Sequence, residues 1–418
     1  MGTRTRIAAV VSALLVAAAG GTLRSTNQPA AAAGGPTGAA SAYLVGKLVT
    51  GDHLTNSFGV DYGLTADLAI SLAASDDQDP ALAKVVGYLA AHVADYADPA
   101  GTGQYPGPYS GAVGKLALVA EATGQDPHNF GGFDLLKTLT DHVCTAADSA
   151  GSCTAAGDFY QAFSPISQAF GILALARAGV TPPAAAVTRL EQMQCTDGGF
   201  SSELPPATPC ASDVDATGYA LQALSQVTGT GTAVGNGRSY LLAGQQPDGG
   251  FIGASGENAN STALASQGLL VTGSGSQPEV TAAVNFLLGL QNADGGFGVS
   301  DSTPASDVRA TTQALPAVAG ATLTTVSDVV TPVAPVTPSS TPSARPTPTA
   351  SSTHSNRPSP SATPAGSGAG VAGVASSQGQ LAATGSHTRV PLLTAALLIL
   401  AGAAALRLAR RPRPDRRR

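Results

Sequence analysis

The sequence predicts an all-α fold, an (α/α)6 toroid of six inner and six outer helices, and three observations predict it. First, the phrase Gln-x-x-Asp-Gly-Gly-Phe stands at residues 194–200, 245–251 and 291–297. Its spacings of 51 and 46 residues mark a chain of repeated supersecondary units, none able to bury its apolar face alone. Second, two kinds of segment alternate from residue 41 to 321, both with apolar residues at three- and four-residue steps. Third, one kind is poorer in charge and richer in Ala, Leu and Gly, as an inner ring requires.

Taken in order, the chain opens on Arg4 and Arg6, an apolar run over 7–19 and small residues, which reads as a signal peptide within 1–33. Alanines at 17–19 and 30–33 leave the cleavage point open, and a retained anchor is the alternative. Outer helices are expected at 41–49, 81–96, 133–143, 184–194, 237–246 and 279–291. Inner helices are expected at 61–74, 109–122, 164–178, 213–226, 258–271 and 307–318. In the repeated phrase, Gly-Gly ends the outer helix by allowing positive φ. Asp197, Asp248 and Asp294 bond nearby amides, and the phenylalanine plugs the seam between repeats. Residues 324–380, rich in Pro, Ser, Thr, Ala and Gly, predict a disordered, semi-extended stalk. Four cysteines fit an oxidising compartment. They allow three pairings, of which the local pairs Cys144–Cys153 and Cys195–Cys210 close short loops at equivalent places in neighbouring repeats.

Residues 381–418 carry Leu381-Ala382-Ala383-Thr384-Gly385, an apolar helix over 390–406 and an arginine-rich end. This order resembles the sorting signal of wall-anchored Gram-positive proteins in its Leu-Ala-x-Thr-Gly form. The resemblance implies a sortase and a peptidoglycan precursor as partners, with cleavage after Thr384 and covalent transfer to the wall. A span of about 17 residues holds a precursor in the bilayer, and the arginines stop transfer. A plain membrane anchor is the alternative. The expected location is secreted and attached to the cell wall, touching membrane only through the precursor's span.

The Gln-x-x-Asp-Gly-Gly-Phe phrases resemble the repeats of the prenyltransferase and squalene cyclase (terpenoid cyclase-like) toroids over most of residues 41–321. The same toroid resembles the cobalamin-carrier proteins. Squalene–hopene-type cyclases carry Asp-x-Asp-Asp, and Asp213-Val214-Asp215-Ala216-Thr217 matches it except at Ala216. By that resemblance Asp215 is the acid that protonates an alkene.

The residues themselves argue the other way. The slot recurs as Asn258-Ala259-Asn260-Ser261-Thr262 and Asp307-Val308-Arg309-Ala310-Thr311, a helix start with Asp213, Asn258 and Asp307 as N-caps. A carboxylate at a helix N-terminus is expected to be ionised, whereas a cyclase acid is protonated. The chain has no Trp and only 5% aromatics, too few to wall a carbocation path. The scattered histidines lack metal-ligand spacing, so no metal and no cofactor are expected.

A polar rim of Asp61, Tyr109, Gln168, Asp213, Asn260, Asp307 and Arg309 remains, suited to a small apolar or corrinoid-like ligand. Residues 41–321 hold 25 Asp and Glu against 8 Lys and Arg, a charge of −17 that excludes nucleic acid and anionic lipid. The reading is a wall-anchored surface protein whose head binds or displays. The alternatives are an isoprenoid- or lipid-modifying enzyme and a small-ligand carrier.

Overall fold

The computed structural model describes residues 34–102 and 107–335. The expected signal peptide, most of the expected stalk, and the expected sorting signal with its apolar helix lie outside the described residues. Among those described, no helix is long and apolar enough to cross a membrane.

In chain order the helices are α1 (Gly35–Val45), α2 (Tyr62–Ser75), α3 (Asp79–Ala91), α4 (Val93–Ala97), α5 (Ser110–Ala122), α6 (Leu135–Asp141) and α7 (Pro165–Arg177). They continue with α8 (Ala184–Glu191), α9 (Val214–Leu224), α10 (Gly231–Gly244), α11 (Ala259–Leu270), α12 (Gln277–Gly289) and α13 (Val308–Val318). Helices α2, α5, α7, α9, α11 and α13 form the inner ring. Each packs on the next, and α13 packs back on α2. All residues of α9 and all but one each of α5 and α11 are shielded by neighbours. The outer helices bury one face only, three residues in the case of α10.

Side-chain caps start the inner helices. Asp61, Ser164, Asp213, Asn258 and Asp307 accept from the backbone N–H three residues on, at 2.8–3.1 Å. A second device ties each start to the preceding loop. The Thr217, Thr262 and Thr311 hydroxyls accept from the N–H of Phe200, Phe251 and Phe297 at 2.8–2.9 Å. Each threonine in turn donates to the carbonyl of its own capping residue. Thr65 does the same for Leu54. The buried phenylalanine amides are thereby satisfied, which would otherwise cost about 1–3 kcal/mol each.

The repeated phrase also explains closure. Gln194, Gln245 and Gln291 each donate twice: to the glycine carbonyl of their own phrase, and to Ala233, Glu279 and Pro36 on the outer helix of the following repeat. Gly198, Gly249 and Gly295 have φ of 94°, 97° and 88°. A Cβ there would lie 2.7, 2.3 and 2.1 Å from the carbonyl oxygens of Asn236, Ala282 and Ala39. Glycine is needed both for the φ and for the close approach. Because Pro36 and Ala39 belong to α1, the last phrase grips the first outer helix and closes the ring. Inside, Pro316 cannot donate to the Thr312 carbonyl, and the Ser71 hydroxyl of α2 fills that place at 2.5 Å.

Three expectations change. The head is helix-rich, but its described residues include four short antiparallel hairpins, such as Phe200–Ser201 with Ser212–Asp213 and Phe297–Ser300 with Thr303–Asp307. The backbone that Gly-Gly turns out of the outer helix is extended, and it pairs with the approach to the next cap. The second outer helix is broken at His92 into α3 and α4. Finally, residues 324–335, expected in the stalk, belong to the head. With Leu323, whose N–H donates to Gln222 of α9, they form a strap across the C-terminal ends of α5, α7 and α9, and Leu323, Val326 and Val330 are buried. Asp328 and Val330 donate to the carbonyls of Ala122 and Thr123, and Val333 donates to that of Ala83. Arg177 donates to the carbonyls of Leu323 and Val326. Gly87 makes room for this strap, since a Cβ there would meet the Val333 carbonyl oxygen.

The disulfides Cys144–Cys153 and Cys195–Cys210 are both formed. The first loop is braced further by Arg189, which holds Asp158 at 2.6 Å and Thr154 at 2.9 Å.

Candidate functional site

A toroid offers two places for a ligand, the hub and the mouth. The hub is nearly filled. Its cavity, about 30 Å³, is lined by Asp67, Lys115, Phe170, Tyr219, Gln313 and Leu323 among others, leaving room for a water or two. Lys115, only 2% exposed, projects from α5 to Asp67 of α2 at 2.6 Å, and its ammonium lies 5.3 Å from the Phe170 ring centre. Burial, with Asp67 close by, holds the phenols of Tyr96 and Tyr219 well above their usual range. The sequence reading passed over this ion pair. Its signal was a single lysine inside the apolar run of residues 111–120.

Asp215 stands one residue inside the start of α9 and is 1% exposed. It is not among the residues lining the hub. Its carboxyl bonds Ser261 of α11, so it sits in the seam between two inner helices. Burial first, and then the neighbouring Asp213, push it up to about 7. The expected ionised carboxylate is thus corrected: desolvation outweighs the helix terminus and the Ser261 bond.

Glu121 on α5 is a second such group, pushed by burial up to about 8 against the pull of Arg177 at 3.5 Å. Both folded values lie above the unfolded carboxylate range near 4. Their contribution to stability is therefore full below about pH 4 and lost as pH rises through about 7 and 8. The melting temperature should fall between about pH 4 and pH 8 at constant ionic strength and level off above that. Asp215→Asn and Glu121→Gln should each flatten part of that fall. A flat wild-type profile would show that these carboxyls are hydrated.

The expected rim residues divide in three. Gln168 is wholly buried, accepting from Phe159 N–H at 2.9 Å and donating to the carbonyls of Gly157 and Ala186. Asn260 is buried and donates to Gln313 at 2.6 Å between α11 and α13. Both serve packing, because a first-turn position points toward a neighbouring helix as readily as toward the axis. Tyr109 and Asp213 begin α5 and α9 in other sectors, Asp213 as a cap.

Asp61, Asp307 and Arg309 do come together, at the seam where the last repeat meets the first. Arg309 lies 4.0 Å from Asp61. With Lys47, Asn56 and Phe58 they border an open groove of about 530 Å³, within the size range of ligand sites. Lys47 lies 4.5 Å from the Tyr43 ring centre, and Phe58 is 81% exposed. Sequence reasoning missed Lys47, Asn56 and Phe58, since only ring closure brings residues near 50 beside residues near 308.

No family model matches the chain, and no curated protein matches it in sequence. Solved structures do match in fold. A protein from Actinoplanes is 17% identical at a TM-score of 0.51, over 68% of this chain and 98% of its own. A variant of the type II terpene cyclase MstE from Scytonema, in complex with its substrate geranylgeranyl dihydroxybenzoate, is 13% identical at 0.50, over 68% and 95%. The same enzyme without ligand is 14% identical at 0.50, over 68% and 96%. At these identities the likeness is one of fold, and the described residues form a terpenoid cyclase-like toroid.

Proposed function

We propose that the chain is a secreted surface protein, joined to the cell wall through Thr384, whose toroidal head binds or displays and does not catalyse. The observation that carries this reading is the filled hub. A cavity of about 30 Å³ beside an ion pair admits neither a polyprene chain nor a corrinoid. Ligand sites begin near about 300 Å³. Binding then falls to the mouth groove, where Asp61, Asp307, Arg309 and Lys47 offer charges of both signs beside the exposed ring of Phe58. Two disulfides accord with an oxidising location. In this reading a sortase and a peptidoglycan precursor are the partners that attach the chain.

One observation favours the alternative of an isoprenoid-modifying enzyme. Asp215, at about 7, retains its proton for a good part of the time at neutral pH, and acid-initiated cyclisation needs such a group. Against it, Asp215 faces Ser261 and not the hub cavity.

The test offers geranylgeranyl diphosphate and a neutral polyprene to the mature secreted protein, and reads products by mass spectrometry. Unchanged substrates in the wild type and Asp215→Asn alike are expected. A cyclised product that disappears in Asp215→Asn would replace the binding reading with the enzymatic one.

A further inference from the structure

The strap meets the ring at a cluster of carboxylates that the groove and the hub do not use. Asp76 is the left-handed C-cap of α2, and Asp79 opens α3. Asp328 reaches them from the strap, its backbone fixed by the 2.7 Å bond to the Ala122 carbonyl. The ligand oxygens of the three lie within 4.8 Å of one another.

Asp76 and Asp79 are exposed, whereas Asp328 is only 7% exposed and its Oδ2 receives no hydrogen bond. Asp77, between the other two in sequence, is turned away and accepts from Ser41 at 3.0 Å and Ser75 at 2.7 Å. The cluster therefore sets a buried acceptor against further acceptors, with no donor to satisfy it. Two things relieve such an arrangement, a shared proton or a cation.

We propose that Asp76, Asp79 and Asp328 form a calcium site that fastens the strap to the turn between α2 and α3. All three donors are carboxylate oxygens, the ligands a hard cation takes. Calcium at about 2.3–2.6 Å from its ligands spans opposite oxygens up to about 5 Å apart, while magnesium at about 2.1 Å spans only about 4.2 Å. The three oxygens, all within 4.8 Å of one another, fall inside calcium's reach. The open side of the cluster, where Asp76 and Asp79 meet solvent, admits the waters that complete its shell. The sequence reading expected no metal, because it looked for His and Cys at fixed spacing. This cluster joins positions some 250 residues apart, within a segment it had assigned to the stalk.

The test strips the mature protein with a chelator and titrates calcium chloride by calorimetry and thermal melting. One ion per chain is expected, with a dissociation constant of about 10⁻⁴–10⁻³ M as in extracellular modules. Saturation should raise the melting temperature by about 3 °C or more. Magnesium and an equal ionic strength of sodium chloride should give less than about a third of that rise. Asp328→Asn should abolish the response.

If that variant fails to fold, Asp76→Asn decides. Asn keeps the left-handed cap, and calcium affinity should drop at least about tenfold on loss of one ligand charge. No binding heat, or an equal response to all three salts, would overturn the proposal. So would Asp328→Asn melting higher than a wild type that ignores calcium, since the carboxyls would then share a proton.

Discussion

Lys115→Ala should cost the head about 3–5 kcal/mol, the range for removing one partner of a buried ion pair. The lysine is 2% exposed and bonds Asp67 at 2.6 Å. Its loss leaves the Asp67 carboxylate without that counter-charge at a hub that Phe170 and Tyr219 also line. Urea unfolding followed by circular dichroism measures the effect, with a fall in melting temperature of about 10 °C as its thermal counterpart. The double variant Lys115→Met with Asp67→Asn should recover most of the loss, because it removes the uncompensated charge while refilling the space. A single-variant cost below about 1 kcal/mol would mean that water reaches the pair and screens it.

Arg177→Ala should be the second large effect, and it should separate two roles. The guanidinium faces Glu121 at 3.5 Å and donates to the carbonyls of Leu323 and Val326. Removing it takes the only described counter-charge from Glu121 and unfastens the strap. A stability loss of about 2–4 kcal/mol is expected, together with rapid proteolytic cleavage after residue 320 while the ring stays folded. Adding Glu121→Gln should restore part of the stability, since no buried charge then lacks its partner. It should not restore protease resistance, since the strap carbonyls still lack their donor. Full rescue of both would place the whole effect in the ion pair. Arg177→Lys should fall short as well, because an ammonium cannot bridge two carbonyls and a carboxylate as the planar fork does.

Much of the ring could be read from the chain because its signals are local. Asp61, Asp213, Asn258 and Asp307 are capping residues, and each inner helix begins within a residue of the expected start. Outer helices were less legible. Helix α10 begins at Gly231, six residues before its expected start, because a segment as rich in glycine as 231–237 has little intrinsic helix preference and is held by packing. The strap was misread because composition averaged over residues 324–380 hides Val326 and Val330, which bury against helix ends far away in sequence.

The site was half legible. Asp61, Asp307 and Arg309 were chosen and do share the groove. Gln168 and Asn260 were chosen on the same pattern and point into helix seams. The direction of a first-turn side chain depends on the tilt between inner helices, which the sequence does not encode locally. The raised value of Asp215 depends in turn on burial between α9 and α11.

The grip of Gln291 and Gly295 on α1 has a consequence for how this protein comes apart. An open array of repeats frays from its ends, where the last unit has one neighbour instead of two. Here every repeat has two neighbours, so none is an end. Losing any one repeat strips a clamp from the unit before it and a partner from the unit after it. Unfolding of the ring should accordingly be a single cooperative step with no partly opened array along the way.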